Sequence, residues 1–156
     1  MTFSLRSFPT LNLSYPILPL PGPDLSKEEW ISVLTLASKW RFAGLRARAI
    51  VVLMRSPVGP LITLEKIQLG RQLYIPSWVI DGFVELVHAR TITDKEALLI
   101  DTGIDVRTTA YKLFRIREQR IAGEVRSWSN RVEEIFKEEL DRLRSDEKLF
   151  TASFTK

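Results

Sequence analysis

The sequence predicts an all-α fold: two stacked helical hairpins, a partial third unit, and a long C-terminal amphipathic helix. The first observation behind this prediction is a set of nine apolar or small positions that recur 33 residues later. The pairs are Leu34 with Ile67, Leu36 with Leu69, Ala37 with Gly70, Trp40 with Leu73, Phe42 with Ile75, Leu45 with Trp78, Ala49 with Gly82, Ile50 with Phe83, and Leu53 with Leu86. Because one hairpin alone cannot bury its apolar face, such a fixed period is typical of stacked hairpins. The second observation is a series of capping and breaking residues that delimit helices.

The first hairpin begins at a capping box. The Ser26 hydroxyl and the Glu29 carboxylate can each accept a hydrogen bond from a free N–H at a helix start, so we expect a helix from Lys27. Its apolar residues follow at spacings of three and four, which predicts one buried face. These residues are Trp30, Val33, Leu34, Ala37 and Trp40. The chain is expected to turn near Arg41 and to form a second helix over residues 43 to 54.

The second hairpin follows a break. Two prolines and a glycine in residues 56 to 60 interrupt regular structure and separate the hairpins. Thr63 is expected to cap the third helix, and Pro76 to occupy the first turn of the fourth, where its missing N–H costs nothing. The fourth helix is expected to run to about Ala89. We expect the tryptophans of both hairpins to lie in the core, because burial of aromatic side chains dominates the stability of a small body. These are Trp30, Trp40 and Trp78.

A partial third unit completes the helical-hairpin domain, predicted over residues 24 to 105. Residues 93 to 96 repeat the capping box and predict a short helix over residues 97 to 100, which Gly103 ends. Residues 1 to 23 form a proline-rich leader in which five prolines disfavour helix. We interpret the leader as an extended spacer, with a ligand for a proline-binding groove as the alternative.

Residues 106 to 148 are predicted to form one long amphipathic helix, followed by a tail at residues 149 to 156. Its apolar residues step by three and four, and they are Ile121, Val125, Trp128, Val132, Phe136, Leu140 and Leu143. Gly123 is a weak point, costing about 1 kcal/mol relative to alanine, so a hinge or break is expected there. Positive charge predominates over residues 107 to 131 and negative charge over residues 132 to 148.

The composition argues against an enzyme. The chain has no cysteine, so a disulfide, a thiolate metal site and a cysteine nucleophile are excluded. His88 is the only histidine, which rules out paired-histidine metal sites, and acidic pairs such as Glu134 and Glu138 are typical of a solvated helix face. We therefore expect a non-enzymatic protein with no metal or cofactor. No apolar run is long enough for a membrane span or a signal peptide, so we expect an intracellular protein, in the cytoplasm or nucleus.

Two segments carry a family resemblance. Residues 29 to 50, from Glu29-Trp30 to Ala49-Ile50, resemble the end of the BTB/POZ domain of fungal BTB proteins, where the last two helices form a hairpin. Residues 65 to 83, with Ile75-Pro76-Ser77-Trp78, look like the helical extension that follows, similar in role to a BACK region. The resemblance covers about residues 24 to 122. Residues 1 to 23 contain no counterpart of the BTB dimer core, so the resemblance implies a helical, BACK-like adaptor module.

Protein binding is therefore the function that the sequence favours, through a hairpin groove or the long helix. The candidate residues are the apolar Trp128, Val132 and Phe136 and the flanking Arg120 and Arg126. The same residues could instead complete the core. The expected partner is another protein or a second copy of this chain.

The sequence also allows two alternatives to protein binding. The first is nucleic-acid binding through the basic helix at residues 107 to 131. The second is a truncated BTB subunit without independent function, which would expose apolar surface on the first hairpin.

Overall fold

A computed structural model of the chain describes residues 25–55, 59–89, 92–100, 108–123 and 126–151. Every regular element in these ranges is an α-helix, which confirms the all-α fold class. The helices are α1 (Lys27–Lys39), α2 (Ala43–Arg55), α3 (Thr63–Gln72), α4 (Pro76–His88), α5 (Asp94–Ile100), α6 (Thr108–Ile121), α7 (Trp128–Ile135) and α8 (Lys137–Thr151). The predicted leader at residues 1 to 23 and the predicted helix end at Gly103 lie outside the described residues.

Helix α1 begins where the sequence predicts. The Ser26 hydroxyl accepts from the Glu29 N–H at 3.2 Å, and the Glu29 carboxylate accepts from the Ser26 N–H at 2.8 Å. Both bonds satisfy N–H groups that have no partner within the helix. Ala37 of α1 and Ala49 of α2 are completely buried, as expected where two helices pack closely.

The start of α3 differs from the prediction in one detail. Ile62, not Thr63, is the cap residue, and Thr63 is the first helical residue. The Glu65 carboxylate accepts from the Ile62 N–H at 2.9 Å, while the Thr63 hydroxyl donates to Glu85 of α4 at 2.8 Å. Thr63 therefore joins α3 to α4 instead of capping α3. Pro76 occupies the first turn of α4, as predicted.

The two hairpin loops follow the same backbone path. Arg41 and Tyr74 stand 33 positions apart and have positive φ angles of 57° and 55°. The next residue, Phe42 or Ile75, donates its N–H to the carbonyl five residues earlier at 2.8 Å in both loops. A left-handed residue followed by such a bond ends many helices, usually with glycine at that position. Each hairpin therefore reverses by the same turn without using glycine there.

The hairpins join through a shared apolar core. Its buried members are Trp30, Leu34, Ala49 and Leu53 from the first hairpin, Leu73, Ile75 and Trp78 from the second, and Leu61 from the connection. The Arg46 guanidinium of α2 crosses the joint and donates to the carbonyls of Leu73 at 2.7 Å and Tyr74 at 3.1 Å. It also donates to the Ser38 hydroxyl at 3.2 Å. Arg46 is almost fully buried, and these acceptors offset the cost of removing its charge from water.

One predicted core tryptophan lies at the surface. Trp30 and Trp78 are buried as predicted, but Trp40 is 59% exposed, so its assignment to the core is wrong. The ring of Phe42 meets that of Trp40 edge to face at 6.1 Å and is also largely exposed. The physical reason is position in the stack: the second loop packs on the first hairpin, whereas no described residue covers the first loop.

The C-terminal part forms three helices instead of the single long helix predicted over residues 106 to 148. Helix α6 ends at Ile121, and Gly123 follows with a φ of 74°, at the weak point that the sequence indicates. A second interruption at Phe136 separates α7 from α8, which continues to Thr151. All three helices contact α4, so this part folds back onto the second hairpin. Its buried side chains are Leu113, Ile116, Val132, Phe136, Leu140 and Leu143.

Gly82 fixes how closely α3 and α4 approach, which gives a first prediction. A Cβ atom at Gly82 would lie 2.5 Å from Ile67 Cγ1 and 3.1 Å from the Thr63 carbonyl oxygen. We expect Gly82→Ala to lower the free energy of unfolding by about 1–3 kcal/mol, because the two helices must separate. Urea denaturation of both proteins would measure the change.

The matched control is Gly44→Ala in α2, where an added Cβ has no neighbour within 4 Å. Alanine is the better helix former, so this variant should gain up to about 1 kcal/mol. Equal stability of Gly82→Ala and Gly44→Ala would contradict the close approach of α3 and α4.

Candidate interaction surface on helix α6

Two of the three predicted apolar anchors lie in the core. Val132 is completely buried and Phe136 is 2% exposed. The Phe136 ring centroid is 4.3 Å from that of Phe83 on α4. A partner therefore cannot reach these two side chains in this fold. They take the other role that the sequence pattern allows, which is to complete the core.

Trp128 and Arg120 form a cluster with His88. Trp128 is half-buried, and its ring meets the His88 ring edge to face at 5.7 Å. The Arg120 guanidinium lies 5.2 Å from the Trp128 ring and 3.2 Å from His88 Nδ1. Arginine can only donate, so His88 Nδ1 is the acceptor in this contact. Trp128 thus anchors α7 to the ends of α4 and α6, while Arg126 is exposed and forms no ion pair with a described residue.

Helix α6 carries apolar side chains on two faces. Leu113 and Ile116 are completely buried against the rest of the protein. Tyr111 and Phe114 point the other way and are 61% and 52% exposed. Large apolar side chains exposed together on a docked helix mark a candidate contact surface.

Two grooves flank Tyr111. The apolar groove, of about 370 Å³, is lined by Ile92, Ala97, Ala110, Tyr111, Phe114 and Arg117, from α6 and the region of α5. The cationic groove, of about 410 Å³, is lined by Tyr111, Lys112, Arg115, Gln119, Arg131 and Ile135, from α6 and α7. Since Tyr111 lines both, one ligand lying across it could contact both grooves.

The cations of the cationic groove differ in how far they are already engaged. Arg131 donates to Gln119 Oε1 at 3.1 Å and to Glu134 Oε2 at 2.7 Å. Lys112 Nζ lies 5.4 Å from the centre of the Phe136 ring. Arg115 is exposed and has no hydrogen-bond or ion-pair partner among the described residues. Lys112 and Arg115 are therefore the side chains most available to an acidic ligand.

A capping box stabilises the start of α5, which lines one side of the apolar groove. The Thr93 hydroxyl accepts from the Glu96 N–H at 3.2 Å, and the Glu96 carboxylate accepts from the Thr93 N–H and hydroxyl, both at 2.8 Å. This capping box was predicted, but α5 begins at Asp94, three residues earlier than the predicted helix over residues 97 to 100. The hydrogen bonds from Thr93 lower the pKa of Glu96.

Arg71 of α3 ties together the helices around the apolar groove. Its guanidinium donates to the Ile100 carbonyl at the end of α5 and to the Thr109 hydroxyl of α6, the latter at 3.3 Å. It also donates to both carboxylate oxygens of Glu139 on α8, from Nε to Oε1 at 2.6 Å and from Nη2 to Oε2 at 3.2 Å. The positions of α5 and α6, and hence the shape of the groove, depend on these contacts.

Within the described ranges, no three histidine or acidic side chains come close enough to hold a metal ion. No helix of that part combines the length and the apolar character needed to cross a bilayer.

Comparisons with protein-family models, with curated proteins and with solved structures find no match to this chain. The resemblance to fungal BTB proteins thus stays a prediction from the residues.

Sequence reasoning missed the residues at the centre of this surface. It placed Lys112 and Arg115 in the basic stretch but did not single out Tyr111 and Phe114. The available signal was an aromatic pair three residues apart that lies out of phase with Leu113 and Ile116. That pattern shows that α6 has two apolar faces, but it does not tell which one is buried.

The second prediction separates the anchor from the surface. Trp128→Ala should lower the free energy of unfolding by about 2–3 kcal/mol, because a half-buried aromatic and its contacts with His88 and Arg120 are lost. Tyr111→Ala, at an exposed position, should change it by less than about 0.5 kcal/mol. Urea denaturation measures both, and a stable Trp128→Ala would show that Trp128 is not an anchor.

The third prediction concerns pH. Because the folded pKa of Glu96 is lowered, its carboxylate stabilises α5 at neutral pH, and that contribution is lost as the pH falls through the folded pKa. Thr93→Ala should return the pKa of Glu96 towards its ordinary value. An NMR titration of the Glu96 carboxyl carbon in both proteins would measure this. An unchanged pKa of Glu96 in Thr93→Ala would contradict the capping geometry.

Proposed function

We propose that this protein is a non-enzymatic protein-interaction module that binds an acidic amphipathic helix of a protein partner across Tyr111. The observation that carries the proposal is the placement of an apolar groove and a cationic groove on the two sides of one exposed aromatic side chain. An amphipathic helix presents apolar and charged residues side by side, which matches this arrangement.

The apolar groove supplies the anchoring contacts. Tyr111 and Phe114 expose most of their rings, and Ala97 and Ala110 leave space between α5 and α6 for an inserted side chain. Aromatic residues dominate binding energy where they become buried in the middle of an interface.

The cationic groove supplies the orientation. Lys112 and Arg115 can pair with acidic residues along one side of the bound helix, while Arg131 is already held by Glu134. Charges at the rim of an interface mainly steer association and fix register. Reversal of one such charge is therefore expected to weaken binding less than loss of an aromatic anchor.

Nucleic-acid binding is the less well supported function. It depends on many simultaneous phosphate contacts, whereas this groove offers Lys112 and Arg115, and its third cation, Arg131, is already paired with Glu134. The apolar groove would also have no role against a phosphate backbone. An adaptor role, as the BTB resemblance implies, is in the same class as the proposed function and depends on the same kind of surface.

The fourth prediction tests this function by photo-crosslinking in the full chain. The photoreactive residue benzoylphenylalanine replaces Tyr111 or, as a matched control, the exposed Met54 of α2. In nuclease-treated host lysate, the probe at position 111 should crosslink to a defined segment that is acidic and amphipathic at helical spacing. Mass spectrometry of the crosslinked peptides identifies that segment.

Two variants sharpen the result. Adding Phe114→Ser should reduce crosslinking at least about tenfold, and Arg115→Glu should reduce it by a smaller factor. Crosslinks that are identical at positions 111 and 54 would contradict the proposed surface. Crosslinks only to nucleic acid, seen when nuclease is omitted, would favour the alternative function.

A further inference from the structure

The first hairpin exposes an apolar surface at its loop, formed by Leu36, Trp40 and Phe42 and called here the loop face. These side chains are 45%, 59% and 54% exposed. Leu36 lies one helical turn before Trp40 on α1, and the Trp40 and Phe42 rings meet edge to face. Two neighbouring aromatic rings beside an aliphatic side chain therefore form a contiguous apolar patch.

The charged residues of this part of the sequence are all positive. Residues 30 to 64 contain no aspartate or glutamate. Three cations of this stretch are exposed and form no hydrogen bond or ion pair with a described residue, and they are Lys39, Arg41 and Arg48. Lys39 and Arg41 flank Trp40 in the sequence, and Arg48 lies in the second turn of α2. The loop face is thus an apolar patch beside free positive charge.

A carboxylate from another element acts on a different cation of the hairpin. Glu147 of α8 raises the pKa of Arg46, against the larger lowering by burial. Arg46 is buried and donates to carbonyls of the second hairpin, so it does not belong to the exposed charge. The exposed cations therefore remain available to an anionic partner.

The loop face is convex, because it lies where one helix ends and the next begins. Trp40 caps the end of α1, Arg41 has a left-handed backbone, and α2 starts at Ala43. A protein partner would need a pocket shaped for two adjacent aromatic rings. A fluid lipid surface needs no such pocket, since its molecules rearrange around an inserted side chain.

We propose that the loop face inserts into the head-group region of a membrane that contains anionic lipids. Tryptophan is enriched at this level of a bilayer, because its ring is apolar and its N–H is polar. Lysine and arginine beside it can extend towards lipid phosphates while their methylene groups lie against apolar surface. The order Lys39-Trp40-Arg41-Phe42 alternates the two kinds of side chain, so both contacts form together.

Charge determines the class of lipid. Each lysine or arginine near an anionic leaflet strengthens binding roughly fivefold, so three such cations contribute about a hundredfold together. A neutral membrane would bind the apolar side chains alone, and the loop face offers three of them. Attachment therefore depends on the apolar insertion and the anionic lipid acting together.

A second copy of the chain suits the loop face less well. A symmetric contact between two loop faces would bring their cations together, and residues 30 to 64 of either copy supply no carboxylate to offset the repulsion. The membrane contact also uses no residue of α6, so it is independent of the protein contact proposed at Tyr111.

Vesicle binding by the full chain is the fifth prediction. Sedimentation with vesicles of phosphatidylcholine and phosphatidylserine in equal parts measures the binding, and vesicles of phosphatidylcholine alone are the reference. We expect at least about tenfold stronger binding to the mixed vesicles, with a steep decrease as salt is added. Equal binding to both kinds of vesicle, or binding to neither, would overturn the proposal.

Two double variants locate the charge that matters. Lys39→Glu with Arg48→Glu should weaken binding to the mixed vesicles at least about tenfold. The matched control, Lys95→Glu with Arg142→Glu, makes the same change in net charge at exposed positions of α5 and α8 and should weaken it less than about twofold. Far-ultraviolet circular dichroism checks that both variants fold. An equal loss in the two would overturn the assignment to the loop face.

Fluorescence shows whether the loop face enters the bilayer. Lipids brominated in their acyl chains quench a tryptophan that inserts, and the quenching that Trp40→Phe removes belongs to Trp40. We expect this component in mixed vesicles, and we expect Trp40→Ser with Phe42→Ser to weaken binding at least about tenfold. Bound protein without quenching of Trp40 would overturn the insertion. Binding to double-stranded DNA without binding to vesicles would overturn the proposal in favour of nucleic acid.

Discussion

The guanidinium of Arg71 determines where the candidate surface lies relative to the rest of the protein. From α3 it reaches the carbonyl of Ile100, the hydroxyl of Thr109 and the carboxylate of Glu139, on three helices that follow much later in the chain. A planar group with several fixed donors suits such a junction better than a flexible ammonium would. The shape of the apolar groove depends on these contacts, because α6 and the region of α5 line it.

Arg46 plays the corresponding part between the hairpins. Burial lowers its pKa, with Glu147 acting in the opposite direction, and its donors reach the carbonyls of Leu73 and Tyr74 in the second loop. Both arginines bind carbonyls at or just beyond a helix end, where oxygens lack an N–H partner within the helix. These carbonyl oxygens would otherwise accept hydrogen bonds from water. Here they accept from arginines of another helix and so connect the packed units.

The two exposed apolar surfaces arise from this way of stacking. The first hairpin has a loop built like that of the second, but it stands at the end of the stack, so Trp40 remains uncovered by described residues. Helix α6 is docked through Leu113 and Ile116, and its second apolar face, with Tyr111 and Phe114, remains at the surface. Among the described residues, the first loop has no neighbouring unit to cover it, and α6 has a second apolar face that stays at the surface.

The sequence by itself determined the helix starts and turns that rest on neighbours a few residues apart, such as the Ser26 capping box, Pro76 and the turn at Arg41. It also located the break at Gly123, since backbone preference is local. Only the tertiary structure decided that Trp40 and Tyr111 are exposed while Val132 and Phe136 are buried. The physical reason is that apolar periodicity identifies faces that can be buried. Which of those faces becomes buried depends on the distant segments that pack against it.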